Sequence, residues 1–93
     1  MAPAQELYEG KAIRRAIDEY LASGNRQIVP VLIPLLRHRE TAVRGRAVEA
    51  LGAFQIQESR PYLDDLSRND KDPQVRQTAK SVYRLLGQID PPS

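Results

Sequence analysis

Apolar side chains recur along this chain at intervals of three and four residues, which places them on one face of an α-helix. The first such stretch, residues 4–22, carries Ile13, Ile17 and Leu21 four residues apart. Gly24 follows it, at the place where a residue in the left-handed conformation closes a helix. No segment alternates apolar and polar positions for long enough to be a strand. The pattern predicts an all-α protein of roughly five helices.

Prolines, an aspartate and a glycine mark the other helix ends. Pro30 and Pro61 each fit the first turn of a helix, where the missing amide donor costs little. Pro34 should bend the second helix, because it removes a hydrogen bond inside it. Asp72 is expected to cap the last helix, and Gly87 to end it. The remaining predicted helices cover residues 27–37, 41–53, 60–68 and 73–86, and residues 88–93 follow as a loose tail.

The third and fifth predicted helices resemble each other in sequence. AVRGRAVEAL at 42–51 aligns with QVRQTAKSVY at 74–83, and Arg44 then corresponds to Arg76, a shift of 32 residues. The helices that precede them align with a shift of 31, which pairs Pro30 with Pro61. The one-residue difference falls in the turn between helices, where insertions are tolerated. AIDEYLA at 16–22 is a weaker third copy of the second helix alone. The chain therefore contains about two and a half helical hairpins.

Together these residues form the pattern Pro–x–Leu–x–x–Leu, a polar turn, then Val–Arg–x–x–Ala–x–x–Ala–Leu–Gly. This pattern resembles the HEAT repeat, and its short period is most similar to the subgroup named after phycobilisome lyases. The resemblance covers residues 28–86 well and 11–22 loosely. It implies a right-handed α-solenoid in one domain, 1–93, with repeats at 27–54 and 60–87. HEAT-like proteins serve mainly as scaffolds, and some members of the lyase subgroup attach bilins.

The repeat arginines Arg44 and Arg76 are predicted to be structural. Recurrence at one repeat position indicates that each guanidinium bonds the turn before its helix, although an anion site is the alternative. The family typically has an aspartate six residues before this arginine, and Asp70 matches that position for Arg76. His38 stands there before Arg44, where Glu40 could substitute from one turn away.

Other charged positions vary between the copies and are therefore free to serve a surface. In an α-solenoid the second helix of each hairpin lines the concave face, so equivalent residues stack in rows of mixed charge. The alternative is an ordinary solvated face. The residues predicted to contact a protein partner are Arg15, Asp18, Arg46, Glu49, Lys80, Ser81 and Arg84.

Composition and charge restrict the possible partners. The 93 residues suffice for one small domain, and fourteen Lys and Arg against twelve Asp and Glu give a net charge of only +2. This balance argues against nucleic acid as the main partner. RHRETAVRGR at 37–46 could still touch phosphates, but it has no aromatic side chains for base stacking. Nucleic-acid binding in a basic concave groove therefore stays an alternative.

Candidate chemistry is sparse. The chain has no cysteine and a single histidine, His38, so no thiolate or multi-histidine metal site can form. Asp64–Asp65 and Asp70–Lys71–Asp72 lack the spacing of a calcium loop. Neither a Gly-rich phosphate loop nor a catalytic triad is present. We therefore expect a non-enzymatic protein without a cofactor.

Hydrophobicity suggests where the protein resides and how its ends behave. The N-terminal residues lack the apolar core of a signal peptide, and the longest apolar run, 28–36, is too short to span a bilayer. A cytoplasmic location is the expectation. Apolar residues of the last helix either pack inward or form an exposed end face used for self-association or docking. They are Tyr83, Leu85 and Leu86.

The second predicted helix is more apolar than its counterpart. Ile33, Pro34 and Leu36 stand where the fourth helix has Asp64, Asp65 and Ser67. Part of this difference is expected, because the second helix lies between neighbours, and any remainder would be an exposed contact surface. The leading hypothesis is a protein–protein interaction module. A phycobilisome-associated or bilin-lyase-subunit role, implied by the resemblance, is the alternative.

Overall fold

The computed structural model describes the backbone of residues 2–89 and the side chains of residues 10–89. This part of the chain contains five α-helices and no strand, which confirms the all-α prediction. Single turns of 3-10 helix precede the second and fourth helices, at Arg26–Ile28 and Gln57–Ser59. The α-helices are α1 (Ala2–Ser23), α2 (Val29–Leu35), α3 (Thr41–Ala53), α4 (Arg60–Asn69) and α5 (Pro73–Gln88).

Helices α1 and α3 end in the same way. Gly24 takes the left-handed conformation after α1, with φ of 68°, as its position in the sequence indicated. After α3 this conformation falls on Gln55, with φ of 58°. The amide of Ile56 then donates to the carbonyl of Leu51 at 3.0 Å, which satisfies an acceptor of the last turn. A side chain at this φ costs free energy that a glycine would avoid.

Helix α2 is shorter than its predicted range of 27–37. Pro34 lies in its last turn and cannot donate a backbone hydrogen bond. The amides of Leu36, Arg37 and His38 then bond carbonyls only three residues back, at 3.0–3.1 Å. The segment therefore tightens into a 3-10-like turn rather than a longer bent helix.

Gly87 does not end α5, contrary to expectation. The helix continues to Gln88, and the amide of Ile89 donates to the carbonyl of Leu86. A Cβ at position 87 would lie 2.8 Å from a guanidinium nitrogen of Arg60. Close packing by Arg60, rather than a left-handed turn, is the structural use of this glycine.

The helices pack in two layers. Helices α1, α3 and α5 lie side by side, and α2 and α4 pack behind α3 and α5. The central helix α3 contacts α1, α2 and α5, and Gly52 allows the approach of Val82 on α5. Each large apolar side chain removed from water contributes about 1.5–3 kcal/mol. The fully buried core includes Ile17, Leu32, Val43, Val48, Leu51, Leu63 and Leu86.

The apolar residues of the last helix mostly pack inward. Leu86 is buried, and Tyr83 is half-buried beneath the Arg60 guanidinium, 4.2 Å from the ring centre. Leu85 remains 48% exposed, as its counterpart Ala53 is also exposed. The predicted alternative of an exposed apolar end face on α5 is therefore wrong, because Leu85 is the one exposed residue of the three.

Some of the apolar excess of α2 does reach the surface. Leu36 is buried, Ile33 is half-buried and Pro34 is exposed. Val31 is 50% exposed on the same helix. Ile33 and Pro34 line a shallow cleft toward Tyr62 of α4. Core packing thus accounts for only part of the difference from α4.

Candidate functional site

A shallow groove crosses the layer of α1, α3 and α5. Its middle is open, since a Cβ built on Gly45 would meet no described side chain from the neighbouring helices within 4 Å. We call this surface the helical groove. It is lined by Arg14, Thr41, Ala42, Gly45, Arg46, Glu49, Asp72, Gln74, Val75 and Thr78.

Two weak ion pairs meet at Arg46 in the helical groove. One of its guanidinium nitrogens lies 3.6 Å from a carboxylate oxygen of Asp18 and 3.6 Å from one of Glu49. All three side chains are about half exposed. Exposed pairs of this kind contribute about 0–1 kcal/mol each. These charges can therefore exchange their mutual contacts for contacts with a ligand at little cost.

The seven residues predicted to bind a partner do not share one surface. The structure brings Arg46, Glu49 and Asp18 together at the helical groove. Arg15 lines a separate depression on α1, beside Lys11 and Glu19. The other three predicted residues line a depression on the outer side of α5, beside Arg76. They are Lys80, Ser81 and Arg84.

The rotation per residue along α5 explains why Lys80 and Arg84 do not reach the helical groove. An α-helix turns by about 100° per residue, so Lys80 points about 160° away from Thr78 and Arg84 about 120° away. Thr78 lines the helical groove and the other two cannot. Arg14 lines the groove and was not among the predicted residues. It holds the repeat position of Gly45, 31 residues earlier, so the repeat alignment contained the signal.

A buried ion pair joins the two repeats. Nε and Nη2 of Arg44 donate to the two carboxylate oxygens of Asp70, at 2.8 and 3.0 Å. Nη1 of Arg44 donates to the main-chain carbonyls of His38 and Arg39, both at 3.0 Å. The side chains of Arg44 and Asp70 are only 7% and 4% exposed. Arg44 thus closes its own turn with one nitrogen and holds the next repeat with the others.

The Asp70 carboxylate is kept charged by its surroundings. Burial acts to raise the pKa of Asp70, but hydrogen bonds from Arg44 and from the Asp72 amide oppose it. The positive charges of Arg44 and Arg76 add to this effect, so the pKa of Asp70 lies below its ordinary value. The resemblance had suggested a pair between Asp70 and Arg76. Arg76 instead donates to the Asp70 main-chain carbonyl at 2.7 Å, and the carboxylate binds Arg44.

His38 reproduces half of the role of Asp70. An oxygen of Asp70 accepts from the Asp72 amide at 2.9 Å, and Nδ1 of His38 accepts from the equivalent Glu40 amide at 3.1 Å. The turn geometry is therefore preserved without a carboxylate. On α1, the position equivalent to Arg44 is Ile13, 31 residues earlier, so an aspartate at 38 would have no arginine of α1 to bind. An imidazole acceptor suits this turn because a carboxylate here would lack the arginine that balances Asp70 in the second repeat.

Glu40 does not take the place of the missing aspartate. Its carboxylate lies against α1, where a Cβ on Gly10 would overlap it. Oε2 of Glu40 is buried and has no hydrogen-bond partner within the part of the chain that the structure describes. The glycine at position 10 thus leaves the space that the Glu40 carboxylate occupies beside α1.

Two other kinds of site would involve a metal ion or a membrane. Between residues 10 and 89, no three His, Asp or Glu side chains gather in a way that could hold a metal ion. Among the described helices, none combines the length and the hydropathy required to cross a membrane.

Stacked helical hairpins, a repeated arginine and an ion pair between repeats define a helical repeat protein. A family model for HEAT repeats matches residues 7–92. The chain belongs to the HEAT repeat family. Comparisons with curated proteins and with solved structures produced no significant match. HEAT repeats commonly act as protein-interaction scaffolds, and the family is typically non-enzymatic.

Proposed function

We propose that this protein is a non-enzymatic interaction module that binds a protein partner in the helical groove. We interpret its helices as a right-handed α-solenoid of about two and a half HEAT-like hairpins, with the groove on the concave face. The observation that carries the proposal is the open groove across α1, α3 and α5, where the side chains of Arg46, Glu49 and Asp18 are about half exposed and weakly paired.

The charge pattern favours a protein over nucleic acid. The helical groove is lined by two cations, Arg14 and Arg46, and by two carboxylates, Glu49 and Asp72. Asp18 adds a third carboxylate beside Arg46. A phosphate backbone would meet these carboxylates and be repelled. A protein segment with charges of both signs can complement such a surface. Complementarity of this kind contributes mainly to specificity and association rate.

Charge reversal in the groove tests the proposal. The full chain and an Arg46→Glu variant are used to capture proteins from cells of the native organism, with mass spectrometry as the readout. Arg68→Glu is the matched control, because Arg68 is an exposed arginine on α4 that also pairs with a carboxylate. A partner retained by the parent chain and by the control, but lost with Arg46→Glu, supports the groove.

The captured partner is then purified, and its affinity is measured for all three proteins. We expect Arg46→Glu to weaken binding by at least about tenfold, since reversal replaces attraction by repulsion. Equal affinity for all three would remove the groove as the binding site. Salt-sensitive binding to a DNA duplex, lost with Arg46→Glu, would support the nucleic-acid alternative instead. Stoichiometric visible absorbance from a bound tetrapyrrole would support the bilin-related role, which rests on the resemblance alone.

A further inference from the structure

Arg76 repeats the geometry of Arg44 without its carboxylate. Nη1 of Arg44 bonds its preceding turn, and its other donor edge binds Asp70 of the next repeat. Nη1 of Arg76 likewise bonds its preceding turn, at the carbonyl of Asp70, 2.7 Å away. Within the described residues, neither Nε nor Nη2 of Arg76 has a hydrogen-bond partner. Arg76 is half-buried and presents its Nε and Nη2 edge without a described partner. In Arg44 the equivalent edge binds Asp70.

The surroundings of Arg76 add positive charge. Its depression on the outer side of α5 also contains Lys80 and Arg84, and none of the described residues that line it carries a carboxylate. We call this surface the cationic end face. It is formed by Ser67, Pro73, Arg76, Gln77, Lys80, Ser81 and Arg84.

The same surface of the first repeat is covered by the second. Val48 and Gly52 lie there and are buried, whereas their counterparts 32 residues later are Lys80 and Arg84, both exposed. These substitutions remove the apolar contact that a stacked repeat would need. The arginine that would bind a carboxylate, Arg76, is retained at its repeat position. The cationic end face is thus adapted to a charged contact rather than to core packing.

We propose that the cationic end face docks a protein partner through an aspartate in a helix-connecting turn, held by Arg76 as Asp70 is held by Arg44. Arg76 would bind the carboxylate with both remaining nitrogens, and Lys80 and Arg84 would attract it. Bidentate arginine–carboxylate contacts are strong and directional, which suits recognition of a single acidic residue. The surface is distinct from the helical groove, so the inference is independent of the proposed function.

Charge decides against a second copy of this chain as the occupant. The turn of the first repeat in a second copy is already in contact with α1 of that copy, where Glu40 lies against Gly10. This turn also carries Arg37, His38 and Arg39, with histidine at the position of Asp70, so it would bring like charges to the cationic end face and no aspartate. The Asp70 turn of another copy is already bound to its own Arg44.

A titration followed by nuclear magnetic resonance tests the proposal on the full chain. The probe is a blocked peptide with the sequence of residues 67–74, SRNDKDPQ, which contains the turn that Arg44 recognises. The comparison peptide carries Asn in place of Asp70. We expect saturable shifts of the Arg76 side-chain Nε–H signal and of nearby α5 amides. The comparison peptide should bind about tenfold more weakly, because it lacks the charge that strengthens these hydrogen bonds.

Exposed variants keep the test independent of folding. Lys80→Gln and Arg84→Gln remove surface cations only, and each should weaken the binding of the Asp peptide by about two- to fivefold. Arg76→Gln should abolish the saturable shifts. Arg15→Gln is the matched control, since Arg15 is an exposed arginine in a different depression, and it should leave binding unchanged.

Four results would overturn the proposal. The first is an absence of shifts at Arg76 up to the solubility limit of the peptide. The second is equal binding of the Asp and Asn peptides. The third is a DNA duplex that binds the same residues more tightly than the peptide and with steep salt dependence, which would assign the surface to phosphates. Shifts confined to Arg14, Arg46 and their neighbours would belong to the helical groove, and they too would count against this surface.

Discussion

Replacing Asp70 by Asn should be among the most destabilising single changes in this protein. The substitution keeps the shape of the side chain but removes the charge that faces Arg44, whose guanidinium is only 7% exposed. Removing one partner of a buried pair costs about 3–5 kcal/mol, because the other charge stays buried. Asn can still accept one hydrogen bond from Arg44 and another from the Asp72 amide. We therefore expect the lower end of that range, about 3 kcal/mol.

That loss is large against the whole free energy of unfolding. A chain of 93 residues is expected to have about 5–14 kcal/mol of stability in total. At about 4–8 °C per kcal/mol for a domain of this size, the melting temperature should fall by about 12–24 °C. Urea denaturation at pH 7, followed by circular dichroism at 222 nm, measures the change directly. An unchanged slope against urea would show that the midpoint shift reports stability.

The pH dependence provides a second measurement of the same interaction. Because the pKa of Asp70 is lower in the folded protein than in the unfolded chain, protonation favours unfolding. The contribution is complete above the unfolded pKa, about 3.9, and is lost as pH falls through the folded value. The stability difference between the parent chain and Asp70→Asn should therefore be constant above about pH 5 and shrink below about pH 4.

Controls separate the buried pair from charge in general. Asp64→Asn breaks the exposed pair with Arg68 and should cost less than about 0.5 kcal/mol. Arg44→Met combined with Asp70→Asn should cost less than the two single changes added, by about 1.5 kcal/mol or more. A loss below about 1 kcal/mol for Asp70→Asn, or additive single changes, would refute the claim that this pair fastens the two repeats.

Three further predictions concern single positions. Gln55→Gly should stabilise the protein by about 0.5–1 kcal/mol in thermal denaturation, because φ is 58° there; a loss would show that the Gln55 side chain contributes more than its backbone strain costs. Gly45→Ala should raise stability by about 0.5–1 kcal/mol, whereas Gly52→Ala should gain less, since its Cβ would lie 3.0 Å from Val82; equal gains would contradict this packing. His38→Ala should cost about 1 kcal/mol in urea denaturation and His38→Asn less, because Asn keeps an acceptor for the Glu40 amide; equal losses would exclude that role.

The helices were predictable because their signals are local. Apolar spacing, a glycine after α1 and the Asp72–Pro73 start of α5 depend on neighbouring residues alone. These local signals predicted the structure wrongly where contacts with residues distant in the sequence determine it. Gly87 is a typical helix stop in sequence, yet α5 continues past it to Gln88, and the glycine leaves room for the Arg60 guanidinium. The left-handed residue after α3 is Gln55, which no sequence preference indicates.

The candidate surfaces were less predictable for a similar reason. Repeat alignment correctly grouped Arg46 with Glu49 and Asp18, since it assigned them to adjacent rows that the structure brings within 3.6 Å. It treated α5 as another member of those rows, although Lys80 and Arg84 turn toward the outer side. The partner of Asp70 lies 26 residues earlier in the chain, in the other repeat. A spacing rule within one repeat cannot find a contact between repeats.

The connection between repeats is directional. Arg44 of the first repeat reaches forward to the turn of the second repeat, and Asp70 of that turn supplies the carboxylate. On the α1 side this connection is absent from both partners, because Ile13 replaces the arginine and His38 replaces the aspartate. Arg76 holds the corresponding position on the outer side of α5, where its Nε and Nη2 have no hydrogen-bond partner among the described residues. The two faces are therefore not equivalent. We expect the face that carries Arg76, Lys80 and Arg84 to be the one that selects an acidic partner.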